Sequence, residues 1–230
     1  ERSMSTVYSS LLQEILITIM VIFLFLINFK SSLLVSLTLP FGVGISFLFM
    51  KIFDIDSNIM SLSGLVIAIG SMVDMGIIMV ENIYSKMNED QPQSFSEKIK
   101  SIKAAAQEVG PAIFTAVATT IVSFLPVFAL TGSEGKLFGP LAWAKTLAMF
   151  GSVFVAVILI PAAAVYFLKY QPKTEKTGKL SETIKAIYEP SLRWVLNHPK
   201  QFFILPLVVC LLGLVSYLNL GEEFMPSLNE

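Results

Sequence analysis

Asp74 stands fifteen positions past Ile59 in the apolar run 59–80, flanked by Ile, Val, Met, Ser and Gly. An aspartate at the centre of a membrane helix costs about 2.5–3.5 kcal/mol, and such acids usually face other helices and carry protons or ions. The bland alternative is a buried hydrogen bond or a packing salt bridge. Glu81 lies seven positions on and returns to nearly the same helix face. It sits near the end of the run, so it is either a second relay group or an anchor that snorkels to water. Lys145, inside the run 141–168, is a candidate intramembrane partner for an acid. Met72, Met75 and Met79 follow i, i+3, i+7 spacing and form one stripe, roughly 160–200° from Asp74. Methionine is ordinarily gap-filling apolar mass. Thioethers are also soft ligands that favour Cu(I)-like ions over hard divalent ones. Met60 near the start of the run and Met149 in the run 141–168 extend such a route.

These residues need helices to hold them in an apolar solvent. The chain has 230 residues, 54% hydrophobic and 14% charged. Soluble domains carry about 25% charged residues, so this chain cannot cover a water-facing surface. Six apolar runs approach the roughly 20 residues a span requires: 11–29, 33–50, 59–80, 112–130, 141–168 and 202–218. The fifth is long enough to tilt or to begin with an interfacial turn. Pro40, Pro126, Pro161 and Pro206 fall inside these runs, which lipid-embedded helices tolerate when neighbours satisfy the freed carbonyl. Gly64, Gly70 and Gly76, with Ser63 and Ser71, are small residues that let helices approach closely.

Basic residues divide unevenly between the two sides. Lys30, Lys86, Lys98, Lys100, Lys103, Lys169, Lys173, Lys176, Lys179, Lys185, Arg193 and Lys200 fall on one side, and Arg2, Lys51 and Lys136 on the other. The positive-inside tendency makes the first side cytoplasmic and puts both ends of the chain outside, in the periplasm if the membrane is a bacterial inner one. The cytoplasmic segment 96–109 has a serine cap and helical spacing, and Gly110-Pro111 ends it. The segment 180–196 reads as an amphipathic helix on the membrane surface, with a partner or regulatory site as the alternative. The expected fold class is an all-α membrane protein, a six-helix transmembrane bundle with surface-lying cytoplasmic helices. It divides into 1–168, a linker and interfacial helix at 169–200, and a last span with the start of a periplasmic segment at 201–230. His198, beside Pro199, reads as a juxtamembrane surface residue rather than a metal ligand, and the single Cys210 excludes a disulfide framework. A net charge of −1 and the lack of a basic stripe argue against nucleic acid. The N-terminus lacks a signal-peptide pattern, and both ends stop mid-pattern, which reads as a segment of a longer protein.

At several places in order the chain resembles the resistance-nodulation-division superfamily, specifically its heavy-metal efflux branch. Asn58-Ile59-Met60-Ser61-Leu62, Ala68-Ile69-Gly70, Met72-Val73-Asp74 and Val80-Glu81-Asn82 are similar to that family's fourth transmembrane helix. Glu108-Val109-Gly110-Pro111-Ala112 resembles the entry to its fifth, and 134–142 the turn into its sixth. Gly221-Glu222-Glu223-Phe224-Met225-Pro226 resembles the exit from its seventh. The resemblance implies helices two to seven of a twelve-helix protein with two large periplasmic domains. Drug exporters of the family carry two adjacent aspartates where this chain has Asp74-Met75. Exporters of divalent zinc, cobalt or cadmium carry an extra aspartate where this chain has Ala68. What remains resembles the copper/silver branch.

The resemblance implies a secondary active transporter rather than an enzyme. It would export Cu(I) or Ag(I) against protons, with no cofactor beyond the transported ion. Asp74 would be the proton relay, with Glu81 as a second relay candidate and Lys145 as a candidate intramembrane partner, and Met60, Met72, Met79 and Met149 would line the metal route. Ala164 stands where that branch has a further methionine, the partner of Met79. A homotrimer in the bacterial inner membrane is implied, with a periplasmic adaptor, an outer-membrane channel and surrounding lipid as partners. Rival readings are a drug or divalent-metal pump, and a membrane scaffold without transport. An impermeant thiol reagent applied from outside to single-cysteine variants is expected to reach 54–58 and 131–136 and to miss 86–103 and 169–200. Labelling of the lysine-rich loops would reverse the orientation.

Overall fold

The computed structural model describes residues 2–26, 29–168 and 179–219, and every regular element in them is helical. One compact unit contains α1 (Arg2–Phe25), α2 (Phe29–Ile52), α3 (Ile59–Asp90), α4 (Phe95–Ser123), the one-turn α5 (Leu125–Phe128) and α6 (Gly132–Phe154). A π turn at Val155–Leu159 and α7 (Ile160–Phe167) complete it. A second unit contains α8 (Lys179–Asn197) and α9 (Pro199–Asn219). Six helices among the described residues are long and apolar enough to cross a membrane: Met4–Phe25, Phe29–Ile52, Ile59–Asp90, Phe95–Ser123, Gly132–Phe167 and Phe202–Asn219. The chain is thus an all-α membrane protein, as its apolar runs predict.

Local chemistry starts the central helices. Asn58 Oδ1 accepts the Ser61 backbone N–H at 2.9 Å and Ser61 Oγ accepts the Asn58 N–H at 2.8 Å. This capping box satisfies two donors that lipid could not. At its other end α3 stops on Gln91, whose φ of 46° is left-handed. Ser94 caps α4 by accepting the Glu97 N–H at 3.2 Å. With 32 residues, α3 is about 48 Å long, well beyond a hydrocarbon core of about 30 Å. Its last turns therefore project past the membrane and pair with the first turns of α4. Asn82 Nδ2 ties the two by donating to the Ala105 carbonyl at 3.0 Å.

Several expected boundaries are corrected. The first run does not continue to 29: α1 ends at Phe25 and Phe29 already belongs to α2. The segment 96–109 is not a separate helix, because α4 runs through Gly110-Pro111 to Ser123, and its cap is Ser94 rather than Ser96. Pro111 removes only its own N–H, and Gly110 before it has no Cβ to crowd the ring. The run 112–130 instead breaks at Phe124, just before Pro126, and restarts as α5. The run 141–168 starts earlier, at Gly132, so most of the expected loop 131–136 is helical. It is interrupted by the π turn directly before Pro161. A proline ring clashes with the carbonyl four residues back, and the widened turn relieves that clash. The linker 171–178 lies outside the described residues.

Glycine sets how closely α2, α3 and α6 approach. A methyl group on Gly64 would collide with the Leu141 carbonyl oxygen, and one on Gly76 would lie 2.6 Å from Thr38 Cγ2. On Gly151 it would sit 3.2 Å from the Gly42 carbonyl oxygen, and on Gly42 3.3 Å from Met72 Sδ. Gly70 is the exception to the expected pattern: it faces open space, with no heavy atom within 4 Å of an added methyl. Gly64→Ala and Gly76→Ala are therefore expected to lower the thermal midpoint of the detergent-purified full-length protein, at a cost of about 1–3 kcal/mol each. Gly70→Ala should leave the midpoint unchanged. An equal loss at all three positions would remove this account of the packing.

Candidate functional site

Backbone contacts fix the register of the bundle. Gly64 meets Leu141 and Met75 meets Ser152 at the same sequence offset, so α3 and α6 run parallel and in step. Met72 is therefore level with Met149, and Ala68 with Lys145. Thr38 against Gly76 and Gly42 against Met72 make α2 antiparallel to both. The Tyr8 and Ser57 hydroxyls, 3.2 Å apart, put the start of α1 beside the start of α3.

The two halves of the candidate chemistry lie on different faces of α3. Met72, Met79 and Met149 are almost wholly buried, at 0%, 0% and 2% exposure. Met72 lies where Gly42 and Gly151 let three helices converge. Met60 is half-buried near the start of α3. Met75 shares the stripe, and its sulfur lies 3.2 Å from Ser152 Oγ, whose single proton has the Met149 carbonyl at 2.7 Å as its other acceptor. Asp74 and Glu81 instead point away from this core. Both are exposed, on a face with Ile67, Gly70 and Ile78. No described helix covers that face, and the open space at Gly70 lies one turn from Asp74.

Lys145 is not brought to Asp74. It is 9% exposed, and its Nζ lies 3.8 Å from the centre of the Phe124 ring, where α4 breaks. Cation–π attraction there is about 0.5–2 kcal/mol, more where water is excluded. Among the described residues none of Asp74, Glu81 and Lys145 is ion-paired. Lys98 is differently used: its ammonium donates to the Val165 carbonyl and ties the first turn of α4 to α7. His198 is exposed, bonds the Trp194 carbonyl at 3.1 Å and stacks on that indole, a surface arrangement.

Three residues were passed over by the sequence reading. Glu14 is a half-buried acid in the middle of α1, hidden by the apolar run around it. Met50 and Met87 are each 2% exposed. Met50 is on α2, and antiparallel packing puts it level with Gly64, which no spacing along a single helix reveals. Ala164 is wholly buried on α7, so its methyl group takes an interior position.

The sequence model of the AcrB/AcrD/AcrF family matches residues 1–230. The chain is 35% identical over its full length to the cation efflux system protein CusA of Escherichia coli K12, of which it covers 22%. It is 35% identical to the putative cation efflux system protein SilA of Salmonella typhimurium, again over 22% of that protein. It is 33% identical to the cobalt-zinc-cadmium resistance protein CzcA of Cupriavidus metallidurans, covering 22% of it. The chain thus spans about a fifth of the length of these relatives.

Proposed function

Since this chain belongs to the AcrB/AcrD/AcrF family of resistance-nodulation-division transporters, we propose that it is part of the membrane domain of a heavy-metal efflux pump that exports Cu(I) or Ag(I) in exchange for protons. The observation that carries this reading is the pair Met72 and Met149, buried and level across the α3–α6 interface, with an unpaired Asp74 on the opposite side of the same helix. Thioethers bind a soft monovalent ion without adding charge to a low-dielectric interior. Steps spaced along α3, from Met79 through Met72 to Met60, suit an ion that is bound tightly enough to enter and loosely enough to leave.

In this reading Asp74 binds a proton from the periplasm, becomes neutral and releases it to the cytoplasm. The charge change alters which packing of α3 against its neighbours is favoured, and that bias moves the metal outward. Separation of the two routes on two faces of one helix keeps the ion from neutralising the carboxylate directly. Coupling then runs through movement of α3 itself. The pump would sit in the bacterial inner membrane with both chain ends periplasmic. It would act as a homotrimer with a periplasmic adaptor and an outer-membrane channel.

The likeness to a cobalt-zinc-cadmium resistance protein supports a second reading, a divalent cargo. Divalent ions need hard or borderline, usually charged ligands. The described residues hold no group of three or more His, Cys, Asp and Glu side chains, which favours the monovalent reading.

In the full-length protein, Asp74→Asn is expected to abolish export while leaving insertion and metal binding intact. Normal metal tolerance in cells carrying it would end the relay assignment. Met72→Leu with Met149→Leu conserves volume and should cost less than about 1.5 kcal/mol of packing. The double variant is expected to fold and to lose silver and copper tolerance. Retained silver tolerance, with the Asp74 variant sensitive, would make these methionines packing alone.

A further inference from the structure

The buried ammonium of Lys145 has no part in the proton route described above. It lies on the stripe of α6 that faces α3, with Leu141, Ala148 and Ser152 at helical spacing, and it stands level with Ala68. Ala68 is wholly buried and contributes only a methyl group. Nine residues separate Ala68 from Ile59, so this level is about 14 Å below the start of α3, close to the midplane of a hydrocarbon core about 30 Å thick. One turn deeper are Met72 and Met149. Side chains on a helix lean toward its N-terminus, which for α6 is the end that α3 also starts from. The ammonium therefore lies between the methionine pair and that starting end.

We infer that Lys145 is a charge filter for the metal route: a fixed positive charge, held on the Phe124 ring, that admits a monovalent ion to the Met72–Met149 step and rejects a divalent one. The inference rests on the proposed cargo and deepens it. Several observations converge on the role. An ammonium this deep is expensive unless used. The Phe124 ring gives the charge a place to rest that no carboxylate would cancel. Asp74 is turned to the other face of α3, so it leaves the field at the methionines uncompensated. Thioether ligands bring no negative charge of their own to offset a second positive one.

Electrostatics gives the scale. Repulsion by a fixed charge grows with the charge of the ion. At an effective dielectric near 20 and a separation of about 10 Å, each extra unit on the metal lowers occupancy about 15-fold. Soft-ligand preference and this repulsion act in the same direction, so a divalent ion is rejected both by its ligands and by its charge.

The test uses the full-length transporter in proteoliposomes, with Ag(I) and Zn(II) transport measured side by side as metal moved per protein. Lys145→Met is apolar and close in length, and Lys145→Arg keeps the charge. Lys145→Met is expected to raise the Zn(II)-to-Ag(I) ratio about tenfold, and Lys145→Arg to keep the wild-type ratio. Lys145→Gln, neutral and polar, serves the same purpose if the methionine variant does not insert. An unchanged ratio in a folded neutral variant overturns the filter while leaving the cargo reading in place. Loss of both metals in the neutral variants, restored by Lys145→Arg, also overturns it, because the charge would then be needed for turnover itself. A wild-type protein that carries Zn(II) as readily as Ag(I) removes the cargo reading and the filter together.

Discussion

Close approach of α2, α3 and α6 is the constraint on which the rest of this bundle depends. Lipid tails are as apolar as leucine, so no hydrophobic force drives helices together inside a bilayer, and association relies on van der Waals fit. Gly64 and Gly76 supply that fit where a Cβ would intrude on the Leu141 carbonyl and on Thr38, and Gly42 and Gly151 supply it at contacts that a Cβ would crowd. The same contacts set the register. Because Leu141 rests on Gly64 and Ser152 on Met75, the positions between them have no freedom to slide. Met72 and Met149 are level for that reason, and so are Ala68 and Lys145.

Many hydroxyls are satisfied by their own helix. Thr115, Thr119 and Thr120, exposed on α4, each return their hydroxyl to the carbonyl four residues earlier, and Ser123 to the one three earlier. A helix can thus face lipid with hydroxyls on its surface at little cost. Ser46 does the same on α2, bonding the Gly42 carbonyl at 2.7 Å within the core. Asp74 follows neither pattern: it is left on an open face without an ion pair. That difference separates a hydroxyl satisfied by its own helix from an acid that its own helix does not satisfy.

Helix existence was legible in the sequence because it follows from gross composition along the chain. Twenty apolar residues in a row have few alternatives. Boundaries were less legible, since each depends on a local balance. Gly110-Pro111 carries strong stop signals, yet α4 passes through it because its first turns are held by Asn82 and by packing against α3. Pro126 does break its helix, where the contacts to α6 are made by the Phe124 and Phe128 rings rather than by a hydrogen bond to the backbone. Within the site, the α3 residues were readable from i, i+3, i+4 spacing on one helix. The pairing of Lys145 with Phe124, the Ser152 hydroxyl beside the Met75 sulfur and the burial of Met50 were not readable, because each depends on a contact between helices. Gly70 shows the limit of composition: it is as small as Gly64, and only the fold tells that one touches a neighbour and the other does not.

The π turn at Val155–Leu159 has a consequence for residues beyond it. A single extra residue in a turn advances the helix by about 100°. Continued without it, the inward stripe of Leu141, Lys145, Ala148 and Ser152 would next present 159 and 163 to the core. With it, Ile160 and Ala164 point inward and are buried, at 2% and 0% exposure. The turn works as a phase shifter, and rewinding the same residues as a regular α turn would swing Ala164 away from the core by about 100°. Ala164 therefore holds its interior slot by rotation: one residue wound differently earlier in the helix decides whether that methyl group packs inside the bundle.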